Sequence, residues 1–180
     1  MNFKQTKLND VYLITPSIFS DNRGCFHEVF NVIDMEKFLD IRLSFVQQNQ
    51  STSKKNVFRG LHYQSNPFAQ DKLVRVLSGR IVDIVVDLRK SSSTFKKWIQ
   101  VPLDSICNQL LWIPKGFAHG FHSLEDNTIV SYHVTNFYSK ENENTVIYND
   151  KELSIPWNED LILSEKDLKG KQLSDLELFE

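Results

Sequence analysis

Two short stretches carry side chains that could move protons. VFRGLHYQ, residues 57–64, sets Arg59, His62 and Gln64 into an otherwise apolar run. If the run is extended, Gly60, His62 and Gln64 share one face, because side chains alternate along a strand. IPKGFAHGF, residues 113–121, brackets His119 with Gly116 and Gly120, and glycines let a backbone come close to a ligand or another strand. An imidazole with an unperturbed pKa of about 6.5 can take a proton near neutrality. Tyr132, in SYHVTNFY (131–138), shares a strand face with Val130 and Val134. Lys72 opens a strand after Gln70-Asp71. Taken singly, each has a commoner structural role. His62 would be a hydrogen-bonded structural histidine, Tyr132 a core tyrosine with a satisfied hydroxyl, Lys72 a solvated edge lysine and Asp167 an exposed carboxylate.

Other chemistries find less support. Among the five histidines there is no H-x-H pair, and His119 and His122 stand three apart. On a strand that spacing points them to opposite sides, so a shared metal ion is not expected. Cys25 and Cys107 have no CxxC partner or local base, which argues against a thiol nucleophile, a thiolate zinc site and a disulfide scaffold. They fit a reducing compartment, read here as bacterial cytoplasm. A net charge of -2 with scattered lysines gives no case for nucleic acid or a membrane surface. No apolar run follows Met1 as a signal peptide would, and none is long enough to span a bilayer. There is no P-loop or dinucleotide fingerprint.

The elements that must position these residues read mostly as strands. Candidates cover residues 11–14, 45–51, 57–63, 72–78, 80–88, 98–103, 109–113 and 128–137, with turn signals between them. Many short strands at regular spacing predict a sandwich or barrel over a single domain, residues 1–180. One helix is expected from Asp34 as N-cap to about Leu39, and one or two helical turns in the tail at 158–168. Along 80–88, Val82, Ile84, Val86 and Leu88 form one apolar face. Ile81, Asp83, Val85 and Asp87 form the other. Two acids beside Ile and Val predict a lined cavity rather than open solvent, with Asp87 paired to Arg89 at the strand end and Asp83 needing a partner inside.

Together these segments form an ordered set. FSDNRGCFHEVF (19–30), VQQNQSTS (46–53), VFRGLHYQ, the run from Gln70 to Phe95, IPKGFAHGF, SYHVTNFY, Asn149-Asp150, SIPW (154–157) and LSEKD (163–167) closely resemble dTDP-4-dehydrorhamnose 3,5-epimerases and related nucleotide-sugar epimerases. The resemblance runs from about residue 3 to the end. It implies an all-β, cupin-type jelly roll with a few short helices, a homodimer, and no metal or organic cofactor. The implied substrate is a nucleoside diphosphate 4-keto-6-deoxy sugar, made for surface polysaccharides. It also implies roles. His62 is the base, oriented by Asp167, Tyr132 is the acid on the other ring face, and Lys72 stabilises the enolate oxygen. His119 lines the pocket with Asp83 behind it. Arg59 and Arg23 hold the diphosphate. Gln47, Asn49, Glu28, Tyr138, Glu143 and Lys166 match further contact positions, some reaching across the dimer. The chain departs from the family pattern in NTVIYND (144–150), where Tyr148 stands in place of a Trp. A GDP-linked substrate, a 4-keto heptose, or inversion at C3 or C5 alone all stay open. Two other classes are a sugar-binding cupin without catalysis, which would lack one of His62, Lys72, Tyr132 or Asp167, and a metal-dependent cupin.

Overall fold

The computed structural model of the protein describes residues 1–157 and 160–180. In chain order they form β1 (Asn2–Gln5), β2 (Tyr12–Thr15), β3 (Ile18–Asp21), β4 (Gly24–His27), α1 (Val32–Leu39), β5 (Gln47–Ser53), β6 (Phe58–Gln64), β7 (Lys72–Ser78), β8 (Arg80–Asp87), β9 (Trp98–Asp104), β10 (Leu110–Ile113), β11 (Phe117–Ser123), β12 (Thr128–Val134), β13 (Glu143–Thr145) and α2 (Glu165–Leu168). Six strands pair in the order β1-β2-β10-β7-β12-β5 and five in the order β13-β6-β11-β8-β9, while β3 and β4 pair only with each other. From β5 to β8 and from β10 to β12 the chain steps from one large sheet to the other. This is the expected jelly-roll sandwich.

The period-2 alternation decides what each sheet buries. Val74, Val76 and Val130 of the six-stranded sheet meet Ile81, Val85, Val101 and Phe121 of the five-stranded sheet in the central core. The opposite face of the five-stranded sheet, with Leu61, Ile84, Val86 and Leu88, lies under the C-terminal tail through Val146, Leu153, Ile155 and Leu173. The outer face of the six-stranded sheet, with Ile14, Leu73 and Trp112, is covered by Met35 of α1 and its neighbours. The two faces expected on β8 therefore both exist. Its acidic face points between the sheets, where Asp87 takes a bidentate pair from Arg89 at 2.9 Å on each contact.

Several boundaries differ from expectation. α1 begins two residues earlier than Asp34, because Asn31 is the N-cap and accepts from the Ile33 and Asp34 amides. Strand β11, which carries His119, was not expected, and nor were β1, β3, β4 and β13. The strand expected at 128–137 stops at Val134. In the tail, α2 supplies the expected turn, and residues 158 and 159 of that stretch lie outside the described residues. Among the described residues no helix is long and apolar enough to cross a membrane.

One local irregularity positions the site. Regular alternation would send Arg59 and His62 to opposite faces of β6. The β6–β11 ladder shifts register there. His62 sits opposite His119, yet Arg59 sits opposite Phe121. Three residue steps of β6 thus match two of β11, a β-bulge that reverses the parity of the strand. Leu61 and Tyr63 still face the tail core, while Arg59 and His62 both reach the space between the sheets. Gly60 makes this possible. Its φ is +144°, and a Cβ there would lie 2.5 Å from the Gly120 Cα. We expect Gly60→Ala to cost at least about 1–3 kcal/mol from overpacking alone, plus the positive-φ penalty, and to abolish activity. Thermal unfolding and turnover of the variant measure this; a variant as stable and active as the parent would contradict it.

Candidate active site

A cavity of about 490 Å³ opens between the two sheets, a size typical of small-molecule sites. β5 supplies Gln47 and Asn49, β7 supplies Lys72 and β12 supplies Tyr132. From the facing sheet come Arg59 and His62 of β6, His119 of β11 and Glu143 of β13. Tyr138 follows β12, and α2 adds Lys166 and Asp167. Eleven of the thirteen residues expected at a site are therefore brought together.

The other two are not. Arg23 lies in the β3–β4 turn, exposed, with Nη2 2.6 Å from its neighbour Asp21. Glu28 follows β4 and accepts from the Asn31 amide at 3.2 Å. Both sit on or beside a hairpin that pairs with neither large sheet, and neither lines the cavity of this chain. The Tyr148 departure also falls elsewhere. Its ring packs beside Trp157 in the tail core, 6.2 Å between centroids.

The geometry separates the polar groups by task. His62 Nε2 is 2.5 Å from Asp167 Oδ1. With the Nε2 proton donated to the carboxylate, Nδ1 keeps a lone pair. Burial lowers the His62 pKa, against the opposing pull of Asp167, and Lys166 and Lys72 lower it further. The ring is thus neutral at neutral pH. Burial would raise Asp167, but the hydrogen bonds and charge of His62, Ser164 and Lys166 outweigh it and hold the carboxyl below its ordinary value. His119 and Asp83 repeat the pairing, Nε2 to Oδ2 at 2.7 Å and both buried, so Asp83 finds the internal partner its mid-strand position demands.

Lys72 is buried beside them and donates from Nζ to the His62 carbonyl at 3.3 Å. Burial brings its pKa down to about 8, with Asp83 and Glu143 resisting the shift. It stays mostly charged at neutral pH, a cation in a poorly solvated place. Burial pushes the Tyr132 phenol up, partly offset by Arg59 and Asn49, so it keeps its proton. At the mouth, Glu143 accepts from Tyr138 at 3.1 Å and from Lys166 at 2.5 Å. Arg59 is exposed and anchored by Nε to Ser53 at 3.1 Å.

Two further residues were not singled out as site residues. Gln64 is buried, and its amide donates to the Phe68 and Phe137 carbonyls at 2.7 and 3.0 Å and accepts from the Ser139 N–H at 2.7 Å. It clamps both loops that frame the mouth, which is why VFRGLHYQ carries an amide beside the histidine. Ser164 lines the cavity next to Asp167; its only sequence signal was a Ser ahead of a short acidic turn. No group of three His, Cys, Asp or Glu residues among those described could hold a metal ion.

Residues 5–175 match the family described as dTDP-4-dehydrorhamnose 3,5-epimerase. An enzyme of that name from Shigella flexneri is 44% identical over 180 residues, covering 99% of each chain. The crystal structure of the enzyme so named from Elizabethkingia anophelis superposes with a TM-score of 0.94 at 42% identity, covering 97% of both chains. A dTDP-6-deoxy-D-glucose-3,5-epimerase from Legionella pneumophila in complex with dTDP-4-keto-L-rhamnose gives 0.92 at 42% identity, covering 98% of this chain and 94% of that one.

The dyad predicts a pH profile. With His62 as the proposed base, which must be unprotonated, its lowered pKa places the acid limb of kcat/KM below the ordinary histidine value of about 6.5. Asp167→Asn removes the group that raises this pKa, so the limb moves still lower. Loss of orientation should also cut the rate by on the order of 10²- to 10⁴-fold. An acid limb that rises in Asp167→Asn would refute the pairing.

Proposed function

The chain belongs to the dTDP-4-dehydrorhamnose 3,5-epimerase family, and from that premise we propose how its own residues carry the reaction. It is an isomerase that epimerises a nucleoside diphosphate 4-keto-6-deoxy sugar, and the nucleotide we assign is dTDP. The 4-ketone acidifies the hydrogens on C3 and C5. His62 Nδ1 removes such a proton, Asp167 steadies the imidazolium, and Lys72 stabilises the enolate oxygen, a task worth about 3–4 kcal/mol per well-placed donor. Tyr132 returns a proton to the opposite ring face. One observation carries this reading. His62 and Tyr132 enter the cavity from facing sheets, β6 and β12, with Lys72 buried on β7, the strand beside β12. A flat sugar ring lying between those sheets offers one face to each. The directions of the pKa shifts agree, with a neutral base and a protonated acid side by side in one cavity.

The reaction so written needs no metal or organic cofactor. Arg59 at the rim suits a diphosphate, since a guanidinium forks onto paired oxygens. A non-catalytic sugar-binding role fits less well, because His62, Lys72, Tyr132 and Asp167 are all present and assembled.

The active species we propose is a homodimer. The β3–β4 hairpin pairs only with itself, and it exposes Phe19 and Phe26 at 64% and 71%. An isolated two-stranded hairpin is marginal in water, and rings so exposed favour cover by a partner. A hairpin laid on a second copy would also give Arg23 and Glu28 a cavity to serve. Phe19→Asp with Phe26→Asp should yield a monomer by light scattering, with activity much reduced; a fully active native monomer at assay concentration would overturn the dimer.

The two faces are separated by exchange in heavy water, followed by proton NMR of the 4-keto substrate. His62→Ala should lose both inversion and C–H exchange, by about 10²- to 10⁴-fold. Tyr132→Phe keeps the ring and loses the hydroxyl, so His62 can still take a proton and return a deuteron to the same face. That variant should exchange C3 or C5 hydrogen while forming little epimer. Equal rates of exchange and inversion in Tyr132→Phe would remove Tyr132 as the acid.

A further inference from the structure

We propose that Ser164 is a positioning residue for proton abstraction, fixing the orientation of the Asp167 carboxylate and, through it, the basicity of His62. This rests on the reading of His62 as the base.

Ser164 does two things at once. As N-cap of α2, its Oγ accepts the Asp167 N–H at 3.2 Å. The same Oγ donates to Asp167 Oδ2 at 2.9 Å. A hydroxyl has one proton. With the amide occupying a lone pair, that proton is committed to the carboxylate, and its direction is fixed by the backbone of the residue it serves. Asp167 Oδ1 is left for His62 Nε2 at 2.5 Å. The two carboxylate oxygens therefore have different partners at fixed places, and the group cannot turn about its own bond without breaking one contact. The Asp167 side chain is only 4% exposed, so bulk water is a poor substitute for a lost donor. Ordinary capping would need only the acceptor half of this arrangement; the donor half acts on the dyad.

The electrostatic sign follows. A donor on Oδ2 spreads the carboxylate charge away from His62. Remove it, and more negative charge faces the imidazole, so the imidazolium is favoured and the His62 pKa rises. The other groups facing that ring are unchanged: Lys166 on α2, Lys72 on β7, His119 on β11 and Glu143 on β13. At neutral pH more of the base is then protonated, and the carboxylate is freer to turn, so turnover falls.

The test uses Ser164→Ala, Ser164→Gly and Ser164→Thr in the full-length enzyme. Glycine is a fair N-cap, within a few tenths of a kcal/mol of serine, so Ser164→Gly keeps α2 if Ser164→Ala does not fold. Three readouts are taken: thermal unfolding, the pH profile of kcat/KM, and the His62 ring titration followed by NMR in the free enzyme. In Ala and Gly variants we expect kcat to fall by roughly tenfold, the scale of one charge-assisted hydrogen bond, while the acid limb and the ring titration both move to higher pH. Ser164→Thr keeps the hydroxyl and should restore the native profile. If Ala and Gly variants only lose thermal stability, with pH profile and ring titration superimposable on native, Ser164 is a helix cap and the proposal is wrong. If His62→Ala retains native turnover, the base assignment fails; a shifted His62 titration in Ser164→Gly would still report the linkage through Asp167.

Discussion

The contact between Gly60 and Gly120 is the constraint from which the rest of the cavity follows. A Cβ on Gly60 would stand 2.5 Å from the Gly120 Cα, and one on Gly120 would stand 2.7 Å from the Arg59 carbonyl oxygen. Two backbones can meet this closely only where neither has a side chain. The meeting point is also where β6 gains its extra residue against β11. One strand thereby serves two surfaces out of step. Phe58, Leu61 and Tyr63 fill the tail core, while Arg59 and His62 face the substrate space. Without the bulge, either the arginine or the histidine would be spent against apolar packing.

Placing such a site inside a sandwich costs desolvation, and the fold offsets it by pairing. Asp83 is pushed up by burial and held back by His119 and Lys72. Lys72 is pushed down by burial and held back by Asp83 and Glu143. Each buried group thus offsets part of the other's desolvation, as buried polar groups require. The same burial that threatens stability sets the chemistry. It leaves His62 neutral and Tyr132 protonated, the states a base and an acid need before the first proton moves. The result is one cavity in which burial shifts His62, Lys72 and Tyr132, while hydrogen bonds and charge outweigh it at Asp167.

How much of this could be read from the sequence depended on whether a local pattern had a local cause. β8 was legible because its period-2 alternation is unbroken, and both acids went where that alternation sent them: Asp87 to Arg89 and Asp83 to an internal partner. β11 was not legible. Its run FAHGFHS has glycine and alanine where β-branched residues would mark a strand, and the glycine that hid it is the one the Gly60 contact demands. The cap of α1 was misplaced because the stripe of Met35, Phe38 and Leu39 starts later than the helix, whose first residues Val32 and Ile33 are 40% and 71% exposed. Glu143 came from the wider resemblance, and the other ten of the eleven cavity residues lie in the ordered motifs. Arg23 and Glu28 came from the same source and missed the cavity, because the hairpin they belong to has no place in either large sheet. Gln64 was visible as a face-mate of His62, but its three loop contacts depend on residues up to 75 positions away, which no short window contains.

The C-terminal tail ties these strands of causation together. It enters beside β6 with Ile162 bridged to Val57, and it leaves beside β13 with Lys171 bridged to Val146. Between those two anchors it has only to form α2, whose short turn carries Asp167 over the sheet edge to His62. The bridges sit at the margin of the core that holds Leu153, Ile155 and Leu173. The carboxylate proposed to orient His62 therefore stands on a scaffold built by apolar packing on the far side of the sheet. Burial of the tail and orientation of the base are parts of one structure: whatever loosens the tail's hold on the outer face must also release Asp167. For that reason the chain beyond β12, which adds a single three-residue strand to the large sheets, belongs with the proposed dyad rather than serving only as a cover.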